Sequence, residues 1–244
     1  MLGLTPHVPE RHFDPGVTIC MPTYNEEETI AQAIYEAEET LWKAGVLGEL
    51  LVLDDHSDDH TWEILRRLQK DLPRLQLRRH RVNQGIAATF NELYQWANRE
   101  LVFLNSADGQ WKMSTLLDML PLMDRYDLIV ARRKVKHYSL GRRVVSWGFN
   151  TLPVLLFATH TYDAGSIKLV RREIYDIPLI SSGVFAEAER IIRASRLGYR
   201  IGCVDVDHFP RRAGKAYGAR LTLVAQACVD LTKCWIDITL HKRT

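Results

Sequence analysis

Three short apolar runs, each of strand length and each ending in a polar loop, constrain this chain more than any other feature. They are "GVTICMP", "GELLVLDD" and "ELVFLN". Continuous β-branched and aliphatic residues over such lengths mark strands buried on both faces. Between them lie segments with helical periodicity. "NEEETIAQAIYEAEETLWKAG" places Ile30, Ala33, Ile34, Ala37 and Leu41 on one face and stops at Gly45. Asn25 is expected to cap it, with glutamates in its first turn. "SDDHTWEILRRLQKDLP" reads as a helix with a capping start and a proline stop. "LQLRRHR" reads as a polar-alternating strand and "GIAATFNELYQWAN" as a helix. Strands alternating with helices predict an α/β domain with a largely parallel sheet.

The second half is less regular. "DLIVARR" is a strand ending in arginines, and "LGRRVVSWGFNTLPVLLFA" a long apolar helix or broken helix pair. "AGSIKLVRREIYD" predicts a strand and turn, "GVFAEAERIIRASRLG" an amphipathic helix, "YRIGCVDVDHF" a strand. No repeat, linker or low-complexity tract interrupts the chain. The expected organisation is an arm over 1–16, one domain over 17–218 and a helical segment over 219–244.

Composition excludes several classes. A net charge of +2 from 32 basic and 30 acidic residues leaves no broad footprint for nucleic acid. Four cysteines without C-x-x-C pairing or metal-ligand spacing read as reduced thiols of a cytoplasmic protein. The N-terminus lacks the pattern of a signal peptide, and no run approaches a spanning helix. A dinucleotide-binding dehydrogenase is disfavoured because no G-x-G-x-x-G follows the first strand.

In parallel sheets, ligands lie beyond the carboxyl ends of the strands. That rule selects Pro22 to Glu26, Asp54 to Ser57 and Asn105 to Gln110. "PTYNEE" offers a proline turn, a phenol and a carboxylate where a flat base can lie. In "LDDHSDDHT", Asp58 and Asp59 suit a helix N-terminus. Asp54 and Asp55, at the strand end, can accept hydrogen bonds from a nucleobase N–H and a ribose hydroxyl. "FLNSADGQWKM" ends its strand in one acid, Asp108.

"PTYNEE", "VLDDHSDDHT", "NQGIAATFNELYQWA" and "LNSADGQW", in that order, resemble the inverting family 2 glycosyltransferases. "YDAGSIK", "FAEAERIIRASRLGYRI" and "HFPRRAGKAYGA" are similar to the polyprenyl-phosphate branch typified by dolichyl-phosphate mannose synthase. The resemblance spans residues 17 to about 235. It implies a GT-A fold: a single Rossmann-like, mostly parallel mixed sheet flanked by helices. It implies transfer of a hexose from a nucleotide-sugar of the GDP-mannose or UDP-glucose type to a polyprenyl phosphate. The alternatives are a saccharide or other hydroxyl acceptor, or a catalytically weak nucleotide-sugar-binding protein.

By the same resemblance, Pro22, Tyr24, Glu26, Asp54 and Asp55 contact the donor's base and ribose, and Gly85 approaches its diphosphate. The family's Asp-x-Asp loop, with a glutamine two residues on, matches Ser106, Ala107, Asp108 and Gln110. Serine thus stands where the first acid is usual. Asp108 and Gln110 are the expected ligands of Mg²⁺ or Mn²⁺, since Mg²⁺ commonly takes one or two protein carboxylates. Arg132, Arg143, Arg211, Arg212 and Lys215 are the candidates for acceptor phosphate, Arg211 and Gly214 matching an "R-x-x-G" loop. Asp163 and Glu187 match acids near the acceptor. For a phosphate acceptor Asp163 orients; for a hydroxyl, Asp163 or Glu187 becomes a general base. The apolar segment at 144–158 and the tail, with Trp147 and Trp235, suit peripheral contact with the cytoplasmic face of a membrane.

Overall fold

The computed structural model describes residues 16–134, 148, 151–183, 185–209 and 221–240. Its first half alternates β1 (Val17–Thr23), α1 (Ile30–Ala44), β2 (Gly48–Asp54), α2 (Thr61–Leu68), β3 (Leu75–Arg79), α3 (Ile86–Trp96) and β4 (Leu101–Leu104). The short α4 (Thr115–Met119) leads through a 3-10 turn into β5 (Leu128–Arg133). Helical residues 151–157 (α5) precede β6 (Lys168–Arg171), α6 (Ala186–Arg196), β7 (Ile201–Val206) and α7 (Leu221–Leu240).

The seven strands form one sheet in the order β3-β2-β1-β4-β6-β5-β7. β1, β2, β3 and β4 pair in parallel, as do β5 and β7, while β6 runs antiparallel between β4 and β5. Six strands therefore finish at one edge, and β6 begins there. The order turns back at β1, whose neighbours are β2 and β4, so a crevice opens between the loops after β1 and β4.

Side chains alternate across the sheet with the two-residue period of a strand. Ile19, Met21, Phe103 and Ile129 pack with α1, α2 and α4. Cys20, Leu53, Val102 and Leu104 face α3, and Val130 and Val170 face α6. The predicted apolar face of α1 is buried, and Gly45 ends the helix in the left-handed region at φ 66°. α7 rests on Phe157, Phe185 and Ile192 through Ala227, Cys234 and Ile238.

Two local expectations are corrected. Pro22 lies inside β1, not at its end. Its amide position faces β4, whose pairing stops at Cys20, so the missing N–H removes no ladder bond. Asn25 does not cap α1; Thr29 occupies that position, and Asn25 adopts φ 54° four residues before it. No described helix is long and apolar enough to cross a membrane.

Candidate active site

The loops after β1 and β2 are laced together. The Asn25 N–H donates to the Ser57 hydroxyl at 2.9 Å, and the Asp58 N–H donates to Asn25 Oδ1 at 2.8 Å. The Glu26 N–H meets Thr61 Oγ1 at 2.8 Å, and Glu27 exchanges bonds with Asp59 and His60. Tyr24 reaches Asp58 at 3.4 Å, and the buried Glu26 carboxylate accepts from Thr29 Oγ1 at 3.1 Å. Asn25 gives up capping because Ser57, brought in by the pairing of β1 with β2, offers its backbone a better partner.

Asp54 and Asp55 turn inward. Asp54 is fully buried and accepts from the Ser57 N–H and hydroxyl and from Arg79 Nε at 2.9 Å. Burial raises its carboxyl above the usual range, and Ser57 and Arg79 offset only part of that. Asp55 takes the Gln84 N–H at 2.7 Å, the Gly85 N–H at 2.8 Å and His80 Nδ1 at 2.6 Å. Gly85 has φ 85°, a conformation that disfavours any side chain. The second acid thus shapes the loop that brings Gly85 to the head of α3.

The loop after β4 folds around Asp108. This buried carboxylate accepts from Ser106 Oγ at 2.6 Å and from the Gln110 N–H at 3.0 Å, both on Oδ1. Ala107 anchors the loop by packing into the core with Met113. The segment after β7 lies over the loop. The Phe209 N–H donates to the Gln110 carbonyl at 3.0 Å, and His208 meets Trp111 edge-on at 4.8 Å. A cleft of about 350 Å³ lies between Thr29, Gln32 and Glu36 of the α1 side and Ser106, Gly109 and Trp111 of this loop.

The donor set here is all oxygen, which suits a hard cation. Among the described residues no three His, Cys, Asp or Glu side chains form a ready cage. A cation held by Asp108 and Gln110 would thus need oxygens from its ligand.

Beyond β5, the Arg133 guanidinium forks onto Asp163 at 2.5 and 2.6 Å and lies over the Trp111 ring at 5.5 Å. Asp163 is thereby tied, through Arg133 and Trp111, to the Asp108 loop. Arg132 points to the other face and forks onto exposed Asp205 at 2.6 and 2.9 Å. Arg143, Arg211, Arg212 and Lys215 lie outside the described residues.

Glu187 stands apart from Asp108 and Asp163 in its contacts. It pairs with buried Lys168 at 2.9 Å, and Arg190 lies 3.7 Å away. Burial alone would raise its carboxyl; Lys168 and Arg190 outweigh that and hold it below the ordinary range. Arg190 covers the stacked rings of Tyr94 and Tyr175. Sequence reasoning missed Lys168, His80 and Trp111. The available signal for Lys168 was a lysine breaking an apolar strand, which two buried neighbouring strands leave without water.

The family model described as glycosyl transferase family 2 matches residues 18–177. The chain belongs to that family. The dolichol-phosphate mannosyltransferase of Pyrococcus furiosus is 26% identical over 189 residues, covering 76% of this chain and 50% of its own length. Among solved structures, the mannosyltransferase PcManGT from Pyrobaculum calidifontis, in complex with GDP-Man and Mn²⁺, has a TM-score of 0.63 at 22% identity. That likeness covers 91% of this chain and 64% of PcManGT. The glucosyl-3-phosphoglycerate synthase of Mycobacterium tuberculosis, with Mn²⁺, UDP and phosphoglyceric acid, gives 0.67 at 17% identity, covering 91% and 78%. At these identities the structural likenesses establish the fold, which is GT-A. The chain spans half the length of the Pyrococcus enzyme.

Proposed function

We propose that this family 2 glycosyltransferase moves a hexose from a nucleoside-diphosphate sugar to a polyprenyl phosphate, with inversion. The observation that carries the reading is the meeting, at the switch point of the sheet, of the Asp108 loop with the Arg133–Asp163 pair across Trp111. The relative named as a dolichol-phosphate mannosyltransferase supports the acceptor class. The donor's base and ribose lie against Tyr24, Glu26 and the β2 end, and its diphosphate near Gly85 and Asp108.

An acceptor phosphate oxygen attacks the anomeric carbon as the bond to the diphosphate breaks, and the nucleoside diphosphate departs. A phosphate monoester loses its second proton near pH ~6, so no strong base is required. Asp163 orients the incoming group, and Arg133 exchanges part of its fork onto it. Arg143, Arg211, Arg212 and Lys215 complete the phosphate contacts. Glu187, ion-paired and held low, is a weak base and serves to fix Lys168. Mg²⁺ or Mn²⁺, held by Asp108 and Gln110, would neutralise charge on the leaving diphosphate. Peripheral contact with a membrane is favoured by exposed Leu155 on α5 and Trp235 and Ile236 on α7.

A hydroxyl acceptor is the second reading, favoured by the structural neighbour holding phosphoglyceric acid. The deciding experiment supplies labelled GDP-mannose or UDP-glucose, Mn²⁺ or Mg²⁺, and either polyprenyl phosphate or phosphoglyceric acid. Label entering the organic phase is expected. Label in a water-soluble phosphoglycerate product favours the second reading, and nucleotide binding without turnover makes the chain a binder.

A further inference from the structure

His80 directly follows β3 and is buried. Its Nδ1 lies 2.6 Å from Asp55 Oδ1 and its Nε2 lies 3.1 Å from Glu92 Oε2. An imidazole can donate from both nitrogens only as the imidazolium. A neutral ring would turn a lone pair toward one of the two carboxylates.

The charged neighbours reinforce this. From the end of β2 comes Asp54, already paired with Arg79, and just beyond it Asp55. His56, in the next turn, has Nδ1 3.3 Å from the His80 carbonyl oxygen. From α3 comes Glu92, whose other oxygen is 3.6 Å from Arg78. Arg81 follows in the chain and is exposed. Burial by itself would lower the ring's pKa, but the two carboxylates outweigh it and raise it above the ordinary histidine value.

The grip reaches the donor loop through Asp55, whose two oxygens also take the Gln84 and Gly85 N–H groups. The Asn83 amide donates to the Asp55 carbonyl at 3.1 Å, so three successive residues hang on this one acid. We propose that His80, as an imidazolium, is a positioning residue for donor binding: by holding Asp55 to Glu92 it sets the Gln84–Gly85 backbone where the diphosphate arrives. The inference rests on the donor site assigned under Proposed function. The sign follows from the raised pKa. The clamp is complete at low pH and is lost as pH rises through the folded value, so donor affinity falls in that direction. By linkage, donor binding raises the His80 pKa further, each unit of rise corresponding to a ~10-fold change in affinity.

The test is calorimetric titration of the whole chain with GDP and with UDP, in Mn²⁺, from pH 5.5 to 9, beside NMR titration of the His80 ring. Wild-type affinity is expected to weaken with rising pH, and the ring's midpoint to move up when nucleotide is added. His80→Gln is expected to bind about 10-fold more weakly at low pH, with a flat profile. Glu92→Gln, at a half-exposed position that folding tolerates, keeps the slope but shifts it to lower pH. A merely structural His80 would change the melting temperature and leave the pH profile alone. Binding whose pH profile is the same in wild type and Glu92→Gln overturns the inference, whether or not His80→Gln folds. Failure of the wild type to bind either nucleotide at any pH overturns the donor site itself, and the inference with it.

Discussion

The two halves of the sheet edge hold their acids in different ways. After β2 and β4, Asp54, Asp55 and Asp108 all accept hydrogen bonds from backbone N–H groups of their own or neighbouring loops. Around β5, β6 and β7, Asp163, Glu187 and Asp205 are instead bound by Arg133, Lys168 and Arg132 side chains. Backbone donors cannot leave without refolding a loop, whereas a guanidinium can turn from a carboxylate to a phosphate. The first half is built as a fixed cradle, whereas the second holds one pair at the site, Arg133 with Asp163, that can exchange. That division suits a donor whose nucleotide is held in one pose and an acceptor whose phosphate must displace something.

Breaking the cradle is expected to have the largest effect. Asp55→Ala strands His80 and two N–H groups, and urea unfolding at pH 7 should show a loss of about 3–5 kcal/mol. Asp108→Ala removes the carboxylate proposed to serve the leaving group. It lowers turnover of the labelled donor by about 10²–10³-fold with an unchanged circular dichroism spectrum. A wild-type rate in that variant would separate the loop from the chemistry.

On the exchangeable side, Asp163→Asn is expected to slow transfer by about 10- to 100-fold through misplacement of the acceptor. Nucleotide affinity in that variant is expected to stay within about twofold, because the contacts proposed for the donor's base and ribose are made on the loops after β1 and β2. A matching loss of nucleotide affinity would erase the distinction between the halves.

A smaller effect concerns acid stability. Asp127, at the opposite sheet edge, would be raised by burial, but Arg200 and Arg171 hold it below the ordinary carboxylate range. Its stabilisation is present above the unfolded value of ~4 and is lost as pH falls through the lower folded value. Urea unfolding of Asp127→Asn should therefore show a shallower acid decline than wild type. Least of all, Asp205→Asn breaks an exposed pair and should leave both folding and transfer near wild-type levels in the same assays.

Much of this was legible before any coordinates. Strand runs, helical faces and the Gly45 stop are local signals, and the sheet built from them followed. The polar loops were recognisable as lying together at one sheet edge because parallel strands all end there. The loops' internal wiring was not legible. Asn25 has the local look of a cap, yet Ser57 captures its backbone from across the β1–β2 pairing. Asp54 and Asp55 read as ligand-facing acids, yet their partners come from Ser57, Arg79, His80, Gln84 and Gly85, on neighbouring loops and β3. Lys168 drew no reading of its own, yet β4 and β5 enclose its strand and leave Glu187 to balance its charge.

The sequence by itself determined which segments fold, in which order, and which three polar loops follow core strands at the sheet edge, because periodicity and turn chemistry act over a few residues. Only the tertiary structure decided which protein donors each acid meets. A carboxylate's role is set by the donors within about 3 Å of it, and at this edge those donors arrive from distant parts of the chain.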